Sequence, residues 1–293
     1  MVMIPNELKN EYPFQQNYIT VGDDHKLHYV EEGKKTNPSV VMVHGNPTWS
    51  FYYRNVIKEL SSSKHVIVPD HIGCGLSDKP QKYDYTLTRH IENLKILILK
   101  TLKEDEVFDL IVHDWGGAIG FGLATAMPER IRKVVILNTA AFTSKHIPKR
   151  INLCKIPFVG EQVVRCFNAF AKPATFMAVE FPLSPLIKQG YLLPYNNYNN
   201  RIATARFVKD IPMSPKHPTW QKLKDIEMKL GTIKGEKLIL WGEKDFCFND
   251  NFYKKWLEIY PEAKTFLYKD AGHYILEDKQ EEVVTKIGQF LYS

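Results

Sequence analysis

The segment Asp109-Leu-Ile-Val-His-Asp114-Trp115-Gly116-Gly117 sets a carboxylate at the end of an apolar run and just before two glycines. A buried strand that turns sharply into a helix exposes the residue at the bend above the sheet, and only small neighbours fit around it. The usual pattern there is G-x-S-x-G. Here Val112 takes the place of the first glycine and Asp114 that of the serine. A serine that displaced a group from sp³ carbon would be left as an ether, which a His-activated water cannot cleave. A carboxylate is left as an ester, which water can attack at the carbonyl. Asp114 therefore points to displacement at alkyl carbon and away from ordinary ester or peptide hydrolysis. An aspartate here could also do no more than cap a helix start, so the reading depends on its partners.

Such a nucleophile takes an acid and then a histidine from later in the chain. Trp241-Gly-Glu-Lys-Asp245 offers an acid just beyond a strand end, and Asp270-Ala-Gly272-His273-Tyr274 a histidine in a glycine-containing loop before the final helix. Asp245 would orient the imidazole and stabilise its cation, and His273 would deprotonate a hydrolytic water. The loop His44-Gly45-Asn46-Pro47-Thr48-Trp49 follows the third apolar strand and is placed to supply one backbone N–H of an anion hole, the other coming from Trp115. The amide of Asn46 and the indole of Trp115 add two donors that could hold an anionic leaving group without competing as nucleophiles. His44 reads as a structural loop residue.

Eight β-rich runs could position these groups: Asn17–Val21, Lys26–Glu31, Ser39–Val43, His65–Pro69, Phe108–Val112, Lys133–Asn138, Lys237–Trp241 and Ala263–Tyr268. From the third onward they are continuous apolar runs, as in parallel strands buried on both faces. Helical spacing covers Thr86–Leu102 and the Val283, Val284, Ile287, Phe290, Leu291 series. Alternating strands and helices predict an α/β fold with a mostly parallel eight-stranded sheet and helices on both faces. The alternation stops after Asn138 for some 80 residues, too long for a plain loop. Residues 140–219 are expected to form a helical cap after strand 6, over the carboxyl ends of the strands, with 1–139 and 220–293 as the core domain.

The chain has 293 residues, 44% apolar and 25% charged, ordinary for a globular protein. A net charge of +6 is mild; the densest basic group, Lys145, Lys149, Arg150 and Lys155, reads as a solvated face, with an anionic partner as the alternative. The spacing of Cys74, Cys154, Cys166 and Cys247 suits reduced thiols rather than disulfides or zinc. No signal-peptide h-region and no run of 18 apolar residues is present, so a cytoplasmic protein without a membrane span is expected. Collagen-like, disordered and disulfide-stapled classes are excluded, and nothing suggests nucleic acid. The G-x-G within Asp70–Ser77 lacks a third glycine and a following helix, which argues against a dinucleotide site. Phe158, Phe167, Phe170, Phe176, Phe181, Tyr191, Tyr195 and Tyr198 are expected mostly to pack inside the cap, some lining an apolar tunnel.

With His-Gly-Asn46-Pro-Thr-Trp-Ser, Pro69-Asp-His-Ile-Gly-Cys-Gly-Leu-Ser-Asp-Lys-Pro80, Val112-His-Asp114-Trp-Gly-Gly, Gly242-Glu-Lys-Asp245 and Ala271-Gly-His273, nearly the whole chain resembles the haloalkane dehalogenases, which are α/β-hydrolases. The resemblance implies Asp114 as nucleophile, His273 as base, Asp245 as acid, Asn46 and Trp115 as the halide-holding pair, and no cofactor. One subfamily takes its acid, a Glu, from after strand 6. Here that stretch reads Leu137-Asn-Thr-Ala-Ala-Phe142, which leaves Asp245. Tyr191–Tyr195, Asn200-Arg201, Arg206–Pro212 and Lys244–Phe248 look like the third dehalogenase subgroup, which is entangled with the β-lactone decarboxylases of long-chain olefin biosynthesis. Cleavage of carbon–halogen bonds in small apolar substrates by water ranks first. Decarboxylation of β-lactones, with olefin-pathway enzymes as possible partners, ranks second. Epoxide hydrolysis, for which Tyr191, Tyr195 or Tyr198 would have to donate to the epoxide oxygen, ranks below both, since Asn46 stands where those enzymes usually carry an aromatic residue. A binding module without activity would be expected to have a broken triad.

Overall fold

Strands form where β-branched and aliphatic residues run together, and their two-residue period sorts side chains to opposite faces. The computed structural model describes residues 3–293. Its strands are β1 (Gln16–Val21), β2 (His25–Glu32), β3 (Ser39–Val43), β4 (His65–Pro69), β5 (Phe108–Asp114), β6 (Ile131–Thr139), β7 (Glu236–Gly242) and β8 (Lys264–Tyr268). They make one sheet in the order β1-β2-β4-β3-β5-β6-β7-β8. Only the β1–β2 and β2–β4 pairings are antiparallel.

The alternation is visible residue by residue. Val41, Val43, Leu110, Val112, Val134, Ile136, Ile239 and Trp241 join one apolar cluster. Their neighbours Val40, Met42, Ile111, Val135, Leu137, Leu238 and Leu240 join the other. Helices α1 (Arg54–Leu60), α2 (Leu87–Thr101) and α3 (Trp115–Ala124) follow β3, β4 and β5. The second cluster takes in Val56, Ile57 and Leu60 of α1. The first takes in Leu87, Ile91, Leu94 and Ile98 of α2, the apolar stripe expected from their spacing. Thr86 caps α2, its hydroxyl accepting from the Arg89 N–H at 3.4 Å.

Between β6 and β7 the chain runs through α4 (Lys149–Leu153), α5 (Val159–Phe167), α6 (Ala171–Met177), α7 (Pro185–Leu192), α8 (Ile202–Asp210) and α9 (Pro218–Lys229), with no strand among the described residues. Leu223 and Ile226 of α9 return to the first sheet-flanking cluster. After β7 come α10 (Asp250–Ile259), α11 (Ile275–Asp278) and α12 (Gln280–Tyr292), whose Val283, Ile287, Phe290 and Leu291 are buried.

Two expectations need correction. β8 is not buried on both faces: it is the sheet edge, with Phe266 and Leu267 each 39% exposed. The Lys286 ammonium lies 3.7 Å from the centroid of the Phe266 ring, covering part of that edge. The aromatic residues of 140–219 do not mostly turn inward either: Phe158, Phe167, Phe176 and Phe181 are more than half exposed, and Tyr198 is exposed. Tyr191 and Tyr195 are buried, and Phe170 alone of the eight lines the cavity described below. No helix among the described residues is long and apolar enough to cross a membrane.

Candidate active site

Asp114 ends β5 and immediately precedes α3, with φ +53° and ψ −128°. A non-glycine residue in this region is strained, and surrounding contacts must hold it there. The neighbouring glycines make room. A Cβ on Gly45 would fall 2.0 Å from Asp114 Oδ1, and one on Gly116 would fall 1.9 Å from the Val43 carbonyl oxygen. The Thr139 hydroxyl donates to the Asp114 carbonyl and ties the bend to the end of β6.

The three acid–base candidates converge although 159 residues separate the first from the last. His273 Nδ1 lies 2.7 Å from Asp245 Oδ2, and His273 Nε2 lies 3.4 Å from Asp114 Oδ2. Asp114 Oδ1 accepts the Asn46 backbone N–H at 2.6 Å. Asp245 Oδ1 accepts from the N–H groups of Cys247 and Phe248 at 2.6 and 3.0 Å, and Oδ2 also accepts from Asn138 Nδ2 at 3.0 Å. Every group facing Asp245 is thus a donor, which suits a carboxylate and nothing else of that shape.

Electrostatics follow from this geometry. Burial favours neutral forms at both Asp114 and His273. At His273, Asp245 and Asp114 outweigh burial and raise the imidazole to about 10. At Asp114, burial is likewise outweighed, by His273 and the Asn46 N–H, and the carboxyl is held below its ordinary value. Both directions favour a protonated His273 beside an ionised Asp114.

Asn46, Trp115 and His273 face a cavity of about 350 Å³. Its walls are largely apolar and include Phe142, Ile151, Phe170, Met177, Val208 and Phe248. One hydrogen of the Asn46 amide is taken by the Thr204 carbonyl on α8 at 3.2 Å; an amide NH₂ has a second. Trp115 is half-buried, its ring 5.3 Å from that of Phe207. Among the described residues, no cluster of three or more His, Cys, Asp or Glu is placed to hold a metal ion.

Comparison with known proteins accords with this architecture. The alpha/beta hydrolase fold family matches residues 38–280. The chain belongs to the alpha/beta hydrolase family. The chain is 46% identical over 286 residues to a cis-3-alkyl-4-alkyloxetan-2-one decarboxylase of Shewanella oneidensis, covering 95% of the chain and 89% of that protein. It is 29% identical over 292 residues to a haloalkane dehalogenase of Mycobacterium marinum, covering 94% and 93%. Its fold superposes on the crystal structure of the haloalkane dehalogenase DbeA from Bradyrhizobium elkani USDA94 with a TM-score of 0.85 at 23% identity, covering 95% and 98%.

Two residues of the candidate site escape sequence reasoning. Asn138, at φ +24°, bridges Asp245 and the β7 end: its amide donates to the Gly242 carbonyl at 3.0 Å while its oxygen accepts the Gly242 N–H at 2.8 Å. His113 is wholly buried, and its Nε2 donates to the His273 carbonyl at 2.9 Å. Burial, then the nearby His273 charge, drive His113 well below its ordinary value, so it is a neutral donor. The His273 loop is also fixed from behind. Tyr274 N–H donates to the Ala178 carbonyl at 2.7 Å, and Asp278 accepts the Gly272 N–H at 2.7 Å.

The tyrosines considered for epoxide chemistry are engaged elsewhere. The Tyr191 hydroxyl donates to Glu277, that of Tyr195 to the Thr48 carbonyl at 3.4 Å and that of Tyr198 to Gln162 at 3.0 Å. None of the three lines the cavity.

Proposed function

We propose that this protein decarboxylates cis-3,4-dialkyl β-lactones to cis-alkenes, with Asp114 as nucleophile, His273 and Asp245 as its acid–base pair, Asn46 and Trp115 as the anion-holding donors, and residues 140–219 as the cap. From sequence alone the carbon–halogen bond ranks first. The observation that moves the lactone ahead is the 46% identity, across 95% of the chain, with a protein named as an oxetan-2-one decarboxylase, an oxetan-2-one being a β-lactone.

The chemistry balances without a cofactor. Asp114 bonds to the ring carbon that carries oxygen, and the ring C–O bond breaks with its electron pair on the departing carboxylate, which Asn46 and Trp115 receive. Loss of CO₂ then turns the C–C pair into the alkene π bond. The Asp114 ester bond breaks, restoring the aspartate. Inversion followed by anti elimination gives the cis-alkene from a cis-lactone. His273 Nε2 stands 3.4 Å from Asp114 Oδ2 and can interact with the carboxylate as it re-forms, which favours return of the negative charge to Asp114. No water is consumed.

Haloalkane hydrolysis is the second reading, favoured by the cavity-facing Asn46 and Trp115 beside Asp114. There the halide leaves outright, and the ester lacks a β-carboxylate whose loss could expel Asp114. Esterification removes one of the two anions that hold His273 protonated, and the freed imidazole can then deprotonate water.

Incubation with a cis-dialkyl β-lactone and 1-bromohexane in one vial, with Asp114→Ala as control, tests the assignment. Alkene with little bromide supports the decarboxylase. Bromide without alkene assigns the hydrolase to haloalkanes, and neither product overturns both readings.

A further inference from the structure

Six of the sixteen exposed large apolar side chains among the described residues fall within one 15-residue stretch, Leu153–Phe167. Leu153 ends α4, Ile156 and Phe158 occupy the turn after it, and Val159, Val163 and Phe167 repeat every fourth residue along α5; all six are at least 40% exposed, Phe158 92%. Residues four apart share a helix face, so α5 turns an apolar stripe outward while Gly160, Val164 and Arg165 face in. Exposed patches of this kind mark interaction surfaces.

Charge accompanies the patch. Residues 140–178 hold six Lys and Arg against one acid, Glu161, and so carry five of the chain's six net positive charges. Glu161 is paired with Arg165 and Arg206 at 3.0 and 3.3 Å. Lys155 is turned onto the Val208, Lys209 and Ile211 carbonyls at the end of α8. That leaves Lys145, Lys149, Arg150 and Lys172 exposed. The same segment walls the cavity from within, through Ile147, Pro148, Arg150, Ile151 and Cys154.

We propose that α4, α5 and the turn between them dock on an anionic phospholipid bilayer, and that apolar substrate passes from the bilayer into the cavity behind them. Exposed aromatic and aliphatic groups beside unpaired lysines are what an interfacial segment needs: burial of apolar area in the acyl boundary, and attraction to acidic headgroups. The entry route rests on the lactone reading above; the docking face does not.

The test is co-sedimentation of the full chain with vesicles of phosphatidylcholine alone, or of phosphatidylcholine with phosphatidylglycerol. The wild type sediments with the anionic vesicles and is released by salt. Lys145→Gln with Lys149→Gln lowers the partition coefficient roughly 10- to 30-fold, two surface charges being removed. Phe158→Ser with Phe167→Ser lowers it at least about tenfold. Both variants keep wild-type melting temperatures and turn over a short-chain substrate in buffer normally, but lose several-fold in turnover of a long-chain lactone held in anionic vesicles. Wild-type protein left in the supernatant, or variants that sediment like wild type, overturns the docking face. Light scattering that shows Phe158→Ser with Phe167→Ser splitting a dimer, without vesicle binding by the wild type, assigns the face to a second copy and also overturns it. Vesicle binding without alkene from any lactone leaves the docking face standing and removes the lactone reading instead.

Discussion

Replacing Asp245 by Asn separates the two substrates through a single atom. The carboxylate accepts four hydrogen bonds, from His273, Asn138, Cys247 and Phe248, at 2.6–3.0 Å. An amide must turn its NH₂ toward two of these donors whichever way it lies. Breaking a buried ion pair costs about 3–5 kcal/mol. At about 2–4 °C per kcal/mol for proteins of 150–250 residues, melting falls by about 6–20 °C. If the NH₂ faces His273, the imidazole takes the tautomer with its proton on Nε2 and cannot act as base toward a water at Asp114. A comparable tautomer error in serine proteases lowers turnover about 10⁴-fold. With 1-bromohexane, Asp245→Asn therefore releases about one bromide per active site in a burst and then stalls, the steady rate falling about 10³- to 10⁴-fold. With a cis-dialkyl β-lactone, alkene formation falls far less, because its turnover needs no deprotonated imidazole. Rapid-quench bromide counts, mass spectrometry of the Asp114 ester and alkene quantification make up the assay. Steady bromide release by the variant near the wild-type rate would refute the role given to Asp245.

Three further outcomes are expected. Asn46→Ala lowers both alkene and bromide formation about 10²-fold, because each reaction expels an anion at the same place; unchanged steady-state rates on both substrates would sink the shared-anion account. His113→Phe keeps the stacking on Tyr52, at 4.3 Å between centroids, but removes the donor to the His273 carbonyl. Turnover should drop about tenfold with KM nearly constant, and a loss confined to KM would contradict a positioning role. Buried His90, pushed by desolvation and by His44 from 6.5 to about 3, stays neutral when folded and binds a proton when unfolded. Its contribution is full above pH 6.5 and declines as pH falls toward about 3. His90→Phe, stacked on Phe207, should therefore lose about 2 kcal/mol less between pH 7 and 5 than the wild type. Urea midpoints across that range check it, and parallel curves would refute it.

The strands that carry the site were legible because parallel central strands are apolar on both faces, and β3, β5 and β7 read as unbroken runs. Asp114 and Asp245 were legible because each stands at or just beyond a strand end, and His273 because its glycine loop follows the last strand. Whether a strand is central or at an edge is decided by neighbours distant in sequence, so the exposure of β8 was not visible. Asn138 was hidden for a related reason: an Asn after a strand reads as a turn residue, and its service to Asp245 exists only once β6 and β7 pair. His113 did leave a signal. Strand parity sets it on the face of Ile111, the Tyr52 side, where the His273 loop arrives. The helices of 140–219 were expected, but a helical period cannot say which stripe turns inward until the partner surface is known. The outward Phe158 and Phe167 follow from that gap.

Asp114, Asp245, His273 and Asn46 sit at or beyond the ends of four different strands, while more than half of the residues lining the cavity come from between β6 and β7. The proposed reacting groups and most of the enclosure are thus written in separate stretches of the gene. A lineage can rewrite the enclosure by substitution, insertion or recombination while the strained aspartate and its partners pass unchanged to descendants. A change of substrate need not then touch the strand-end groups, because more than half of the lining can vary within one contiguous block.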